Sequence, residues 1–319
     1  MGRSGGVTAL LGIDYGGTHT KVLLAHERPS GLERVSAEIF RTPRSETALS
    51  ELAGLVRGLV RSDRPSAFGM TVAGILDDAS QTVVTSTNTP WLNGRAPARE
   101  LAAQLGAPGV AVHDGAAAAT AEAIMGAGRG RDDIFVLALG TGIAGAHVIN
   151  GSVRRGAHGA AGEIGHVAFG TGRRCSCGQY GCLESEIGGT RLGARWDEER
   201  GAPPGSTARD VVDAARAGDA AAVRVLDAAT SALAQSLLGV VALIDPGAIV
   251  IGGGLARSPK WIVEPAVAKA TERATFHRLP PIMAAELGVW AGAWGAVLAA
   301  RAAAGGTNAS VLGQIRRVG

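Results

Sequence analysis

The chain has 319 residues, 46% of them hydrophobic and 18% charged, with a formal net charge of +3. That balance excludes a disordered chain, and the arginines are scattered rather than gathered into a block, so a nucleic-acid partner is not indicated. The longest apolar run, 237–244, is too short to cross a bilayer and no signal-peptide pattern precedes the first strand; a cytoplasmic protein without a membrane partner is expected, of two domains or one domain with a cleft.

The N-terminal stretch predicts a hairpin: an apolar strand Val7–Asp14, a glycine-rich turn Tyr15–His19 and a returning strand Thr20–Ala25. A strand is expected near Ile39, then a helix over Glu46–Arg61 with Leu49, Leu52, Leu55, Val56 and Leu59 as its apolar residues. Ala67–Val72 reads as a buried strand ending at Ala73-Gly74, Arg99–Leu105 as a short helix, and Val110–His113 as a strand that delivers Asp114. An alanine-rich helix, Ala116–Met125, follows.

The opening pattern then recurs. Ile134–Leu139 is an apolar strand, Gly140–Gly145 a turn, Ala146–Ile149 a second strand, and Asn150-Gly151 a type I′ turn into Ser152–Arg155. Two similar α/β halves would each present a phosphate-sized backbone turn. Helices are expected over Thr207–Ala217, Asp219–Leu243, Ile262–Thr275 and Gly292–Ala304. Strand Ala248–Ile251 runs into Gly252-Gly253-Gly254, and the tail after Gly305 reads as loosely ordered.

All three cysteines, Cys175, Cys177 and Cys182, lie within eight residues, and His166 stands nine positions before the first. Core cysteines sit among aliphatic residues; these have Arg173, Arg174, Ser176, Gly178 and Gln179 around them. A disulfide across Cys175-Ser176-Cys177 would close a small strained ring. Three thiolates and an imidazole make a complete tetrahedral zinc set, with no position left open for water, so the metal is expected to be structural. Glu163 and Glu184 flank this loop, where a metal would fix both carboxylates for bidentate contact with vicinal hydroxyls; solvated surface acids are the alternative.

Asp14-Tyr15-Gly16-Gly17-Thr18 can aim backbone N–H groups at phosphate oxygens, with Asp14 placed to meet Mg²⁺ through water, although an ordinary hairpin has the same pattern. Gly140-Thr141-Gly142-Ile143-Ala144-Gly145 matches G-x-G-x-x-G, but the next residues read as a hairpin, so a dinucleotide fingerprint fails and a second phosphate turn is the better interpretation. Asp114, between an apolar strand and a helix, suits a general base accepting a hydroxyl proton; it also suits an N-cap, and both can hold.

At these residues the chain resembles the ROK family of sugar kinases, glucokinase-like members of the actin-like ATPase superfamily. LGIDYGGTHTK resembles the first phosphate motif, LALGTGIAGAHVING the second, and IVIGGGLA the adenosine segment; RGAHGAAGEIGH with CSCGQYGCLE resembles the family signature. The resemblance implies a two-domain, ribonuclease H-like α/β fold with a cleft between domains and a structural zinc loop at 166–182. The smaller domain would be 1–113 with a C-terminal helix at about 296–319, and the larger one 114–295. It implies ATP with Mg²⁺, bound through Asp14, Gly16, Gly17, Thr18, Gly140, Thr141, Gly142 and Gly253. Asp114 would be the base for a sugar 6-hydroxyl; Gly74, Asn88, His113, Glu163, His166 and Glu184 would contact the sugar; His166, Cys175, Cys177 and Cys182 would hold zinc. A homodimer is also implied.

There is one departure. The family reads Asn-Asp at the base where this chain reads His113-Asp114, which points to a modified acceptor: an aminohexose such as kanosamine, an N-acylhexosamine or a cyclitol. A sugar-responsive regulator is disfavoured because about ten residues precede the first strand, too few for a DNA-binding domain. A sugar-binding protein without turnover is disfavoured by the retained Asp114. Polyphosphate stays open as a donor. Loss of the metal through Cys177→Ser is expected to damage sugar affinity and stability while sparing nucleotide binding.

Overall fold

The computed structural model describes residues 8–61, 63–86, 88–169 and 172–305. They fall into two compact units: residues up to 124 with 151–153 and the segment from 289 onward, and residues 125–150 with 154–288. Val7 and the tail beyond Gly305 lie outside the described residues.

In the first unit β1 (Thr8–Tyr15), β2 (His19–Arg28) and β3 (Gly31–Arg41) form an antiparallel meander, followed by α1 (Ala48–Val60) and β4 (Ala67–Val72). Then come the small hairpin β5 (Ile75–Asp77) and β6 (Thr82–Thr85), α2 (Pro97–Leu105), β7 (Gly109–His113) and α3 (Asp114–Ile124). The sheet order is β3-β2-β1-β4-β7, with β1, β4 and β7 parallel. Ile13, Leu24, Leu49, Leu52, Val56, Phe68 and Met70 fill one core against α1. This is the burial that the apolar spacing of α1 and the continuous apolar run of β4 call for.

The second unit opens with β8 (Asp133–Leu139) and β9 (Ile143–Ile149), joined by a three-residue turn. Asn150 and Gly151 both take positive φ, 50° and 72°, as a type I′ turn requires, and β10 (Ser152–Val153), which is grouped with the first unit, follows. After a long loop come α4 (Leu183–Ile187), α5 (Gly189–Arg200), α6 (Ala208–Arg216) and α7 (Ala220–Ile244). The unit finishes with β11 (Ile249–Gly252), α8 (Val263–Arg273) and β12 (Ile282–Ala284). The strands run β9-β8-β11-β12, with β8, β11 and β12 parallel. Leu137, Leu139, Leu183, Ile187, Leu192, Leu233 and Leu237 share its core. By length and composition α7 could cross a membrane, yet half of its most apolar window is buried in the protein, and Leu226, Leu233, Leu237 and Val241 belong to the core.

The last helix, α9 (Ala291–Ala304), returns to the first unit. It lies so close to the sheet that a Cβ on Gly12 would sit 2.1 Å from the Ala293 carbonyl, and one on Gly69 2.0 Å from that of Ala296. Gly295 makes the same close approach to Ala117 of α3. This stapling puts α3, and the segment from 289, with the first unit, a division that differs from the sequence-based boundaries at 113/114 and 295/296.

Three further differences have local causes. Strand β9 begins at Ile143, so the turn is only Gly140–Gly142 and the remainder of the G-x-G-x-x-G pattern is strand; no helix follows it. Helix α5 was not expected because Leu192 and Trp196 are its only large apolar residues among glycines and charges. The hairpin β5–β6 and strand β12 are too short to carry a pattern.

Candidate functional site

In the first unit the register sets Asp14 beside Thr71 and Val72 beside His113. Asp14, the Ala73-Gly74 segment and His113-Asp114 therefore stand at the carboxyl ends of three neighbouring parallel strands, where open α/β sheets place their ligand sites. Asp14 is held from both sides: Lys21 Nζ donates to Oδ2 at 2.7 Å and the Thr71 hydroxyl donates to Oδ1 at 2.8 Å. The Tyr15 amide in turn donates to the Thr71 oxygen at 3.1 Å. Lys21 was not singled out from the sequence, although the β1–β2 register pairs it directly with Asp14. Arg44, also missed, donates to the Gly17 carbonyl and lies 3.4 Å from the Thr18 hydroxyl. The first turn, Gly16–Thr18, is thus flanked by two cations.

Gly74 has φ +97°, and a Cβ there would meet the Thr85 carbonyl at 2.3 Å, so only glycine lets this segment lie against the strand that leads to Asn88. A Cβ on Gly17 would stand 3.0 Å from the Asn88 carbonyl, which brings that loop onto the first turn. Asn88 itself is exposed.

Asp114 opens α3, and its Oδ1 accepts from the Gly115 amide at 2.7 Å. The Ala116 amide donates to His113 Nδ1 at 3.4 Å, and Nε2 of the same ring lies 3.4 Å from Asp114 Oδ1. Desolvation raises the Asp114 pKa above the ordinary carboxylate value; His113 and the Gly115 amide oppose the rise, and the Asp14 charge adds to it. About 45% of the side chain's surface nonetheless reaches solvent. The result is a carboxylate that is accessible yet costly to ionise, as a proton acceptor in a site needs to be.

In the second unit the Gly140–Gly142 turn closes with the Gly140 amide on the Gly142 carbonyl at 3.0 Å. Gly253, at φ +93°, ends β11 against it: a Cβ there would be 2.3 Å from the Leu139 carbonyl. The Ile143 amide donates to Glu184 Oε2 at 3.1 Å, and the Gly189 amide donates to the Gly140 carbonyl at 2.9 Å. Both ends of α4 are therefore fastened to the turn. Glu163 is exposed, and its carbonyl accepts from the His166 amide at 3.0 Å.

The loop between His166 and α4 folds back on itself. Phe169 donates to the Gly181 carbonyl, Gly181 to that of Arg173 and Cys175 to that of Gln179, at 2.7–2.9 Å. This brings the donor atoms of His166, Cys175, Cys177 and Cys182 all within 4.8 Å of one another. Cys177 and Cys182 Sγ are 3.6 Å apart, and Cys175 Sγ lies 3.7 Å from His166 Nδ1. Ligands about 2.0–2.3 Å from a tetrahedral centre stand roughly 3.3–3.8 Å from each other, so the spacing fits zinc and is far too long for a disulfide. The thiols are unevenly charged. Cys182 is pushed up to about 12 by burial and by the neighbouring thiols; Cys175, despite burial, is drawn down to about 7 by hydrogen bonds from Cys177, His166 and Ser176. Three thiolates this close need a cation to coexist.

A family model described as the ROK family matches residues 10–303. The chain belongs to the ROK family. A glucokinase from Thermotoga maritima is 30% identical over 80% of this chain and 85% of its own length. An N-acetylgalactosamine kinase from a Shewanella species is 32% identical over 72% of this chain and 76% of its own. Among solved structures, a ROK-family glucokinase from Streptomyces griseus in complex with glucose and AMPPNP superposes with a TM-score of 0.74 at 29% identity, covering 93% of this chain and 99% of that one. This ROK chain has the actin-like sugar kinase fold and is a sugar kinase.

Proposed function

We propose that the enzyme transfers the γ-phosphoryl group of ATP to the 6-hydroxyl of a hexose or a modified hexose, with Asp114 as the general base. The observation that carries this reading is Asp114 itself: an accessible carboxylate at the end of β7 with a raised pKa, separated by one strand, β4, from the strand that leads into the cation-flanked first turn. In transfer to an alcohol, a positioned carboxylate takes the hydroxyl proton while the oxygen attacks phosphorus. Cations and backbone amides neutralise the equatorial oxygens. Lys21 and Arg44 at Gly16–Thr18, with the amides of Thr141 and Gly142, supply those groups, and Gly253 lets the chain approach the nucleotide. Mg²⁺ would arrive on the phosphates, with Asp14 as the carboxylate to meet it through water.

Gly74, Asn88, His113, Glu163, His166 and Glu184 are assigned to the acceptor. His166, Cys175, Cys177 and Cys182 would hold a zinc ion, which as a closed four-ligand centre supplies rigidity and no reaction step. Three free cysteines suit a reducing cytoplasm. The imidazole of His113, whose Nε2 lies beside Asp114, favours an acceptor that presents a polar group near the base. A second reading, an N-acylhexosamine kinase, is supported by that same ring and by the Shewanella relative.

The test is ADP release over a panel of glucose, mannose, N-acetylglucosamine, N-acetylmannosamine, kanosamine and cyclitols, with ATP and polyphosphate as donors. At least one hexose should support turnover, and Asp114→Asn should lower kcat by about 10³-fold with sugar affinity retained. Because the Asp114 pKa is raised, kcat/KM should begin to fall at a pH above the ordinary carboxylate range as the medium is acidified. Full activity in the variant would remove Asp114 from the mechanism.

A further inference from the structure

The second turn carries a feature that its proposed role does not require. An N–H in a phosphate-binding turn is useful when it is free to meet a phosphate oxygen. The Ile143 amide is instead already taken, by Glu184 Oε2 at 3.1 Å. The same oxygen stands only 2.7 Å from where a Cβ of Gly142 would be, so a negative charge lies directly against the turn. A carboxylate in this position imitates the anion that the turn is meant to bind.

The backbone beneath Glu184 is fixed, so only the side chain can leave. Immediately before helix α4 stands its N-cap residue Cys182, a candidate metal ligand with no exposed surface. Its far end is tied by Gly188 N–H to the Glu184 carbonyl at 2.9 Å and by Gly189 N–H to the Gly140 carbonyl at 2.9 Å. Between these, Glu186 forms a buried ion pair with Arg195 at 3.1 Å, and Arg195 also donates to the Glu186 carbonyl. Glu184 is the half-buried member of the helix. A change of its side-chain rotamer frees the Ile143 amide without moving α4.

Resting on the reading of Glu184 as an acceptor-contacting residue and of Gly140–Gly142 as a phosphate turn, we propose that Glu184 is a positioning residue that makes the second turn responsive to the acceptor. Without sugar, its carboxylate occupies the Ile143 amide and repels the nucleotide phosphates. Acceptor hydroxyls compete for the carboxylate, draw it off the turn and open the amide to phosphate. Sugar and nucleotide then bind with positive, reciprocal coupling, and ATP is held poorly while there is nothing to phosphorylate.

The experiment is calorimetric titration of AMPPNP with Mg²⁺ into the full chain, without sugar and with a saturating concentration of the hexose that turns over. Wild type should bind the nucleotide weakly alone and about tenfold more tightly with sugar. Glu184→Ala should bind it about tenfold more tightly than wild type in the absence of sugar and gain nothing from sugar. Glu184→Gln, which keeps an acceptor for the amide but removes the charge, should fall between the two. A gain of affinity is not what structural damage produces. If Glu184→Ala is not folded by thermal melting, Glu184→Gln carries the test. Sugar-free affinity equal to or weaker than wild type in the folded variant overturns the inference and leaves the kinase reading intact. Wild type that binds no nucleotide under either condition overturns both.

Discussion

The two glycine turns are the same device in different surroundings. Each lies between an apolar strand and its antiparallel return, yet the first is flanked by Lys21 and Arg44 while the second has Glu184 on its Ile143 amide. Their supports also differ. The first turn is held by sheet register and by the Asp14–Lys21–Thr71 hydrogen bonds. The second is held by α4, which follows a hydrogen-bonded loop that gathers four candidate metal ligands. The first turn is thus built into its own sheet, and the second is fastened by a brace. The difference teaches that two turns of like geometry can stand in opposite electrostatic surroundings, with cations at the first and a carboxylate at the second.

The strongest way to break this comparison is to remove the brace. Cys182→Ser deletes a buried thiol and should abolish zinc uptake, measured by native mass spectrometry. It should destabilise the second unit by several kcal/mol, seen as an early unfolding transition. Because the Gly189 amide ties the segment after α4 to the Gly140 carbonyl, loss of the brace should disorder the turn itself, and nucleotide affinity should fall together with sugar affinity. The sequence alone led to the opposite expectation for Cys177→Ser, that nucleotide binding is spared. Zinc loss with unchanged AMPPNP affinity would restore that view.

A smaller effect should follow from Lys21→Met, which attacks the first turn. It leaves the partly buried Asp14 without its charged partner, a loss of about 1–3 kcal/mol in stability. The uncompensated Asp14 charge should raise the Asp114 pKa further, since Asp14 already acts in that direction. The acid limb of kcat/KM should therefore move to higher pH. An unmoved limb would show that the two carboxylates do not sense each other.

The smallest change is expected away from both turns. Asp197 caps the 200–206 loop, accepting from the Gly205 and Ser206 amides and the Ser206 hydroxyl, with Arg200 beside it. Hydrogen bonds to Ser206 lead in holding its pKa at about 2. A depressed carboxylate pKa stabilises the fold fully above its ordinary value of about 4 and loses that contribution as pH falls toward about 2. Asp197→Asn should flatten the acid dependence of melting between those values, with nucleotide affinity at neutral pH unchanged. A coupled loss of affinity would extend the brace to α5.

What the sequence revealed and what it concealed follow a physical line. The strand over Ala67–Val72 is legible because every one of its six residues is buried. The cysteine loop is legible because metal ligands of this kind cluster in sequence. Asp14, Asp114 and both turns are legible because strand ends mark themselves with acids and glycines. Lys21 was within reach, seven residues from Asp14 and opposite it in the hairpin. Glu184 could be named but its bond to Ile143 could not, since 41 residues separate them and no local pattern reports on such a pairing. The Glu186–Arg195 pair was hidden for the same kind of reason: two charges in a glycine-rich stretch read as surface until the fold buries them.

The close seat of α9 has a consequence for how the chain is made. Gly12 and Gly69 receive backbone from Ala293 and Ala296, so segments more than 200 residues apart in this chain complete a single unit. On the ribosome the usual order, N-terminal domain first, cannot finish here. The second unit is nearly continuous in the chain and can close as it emerges, while the first must wait, with one face of its sheet uncovered, until the last helix has been synthesised.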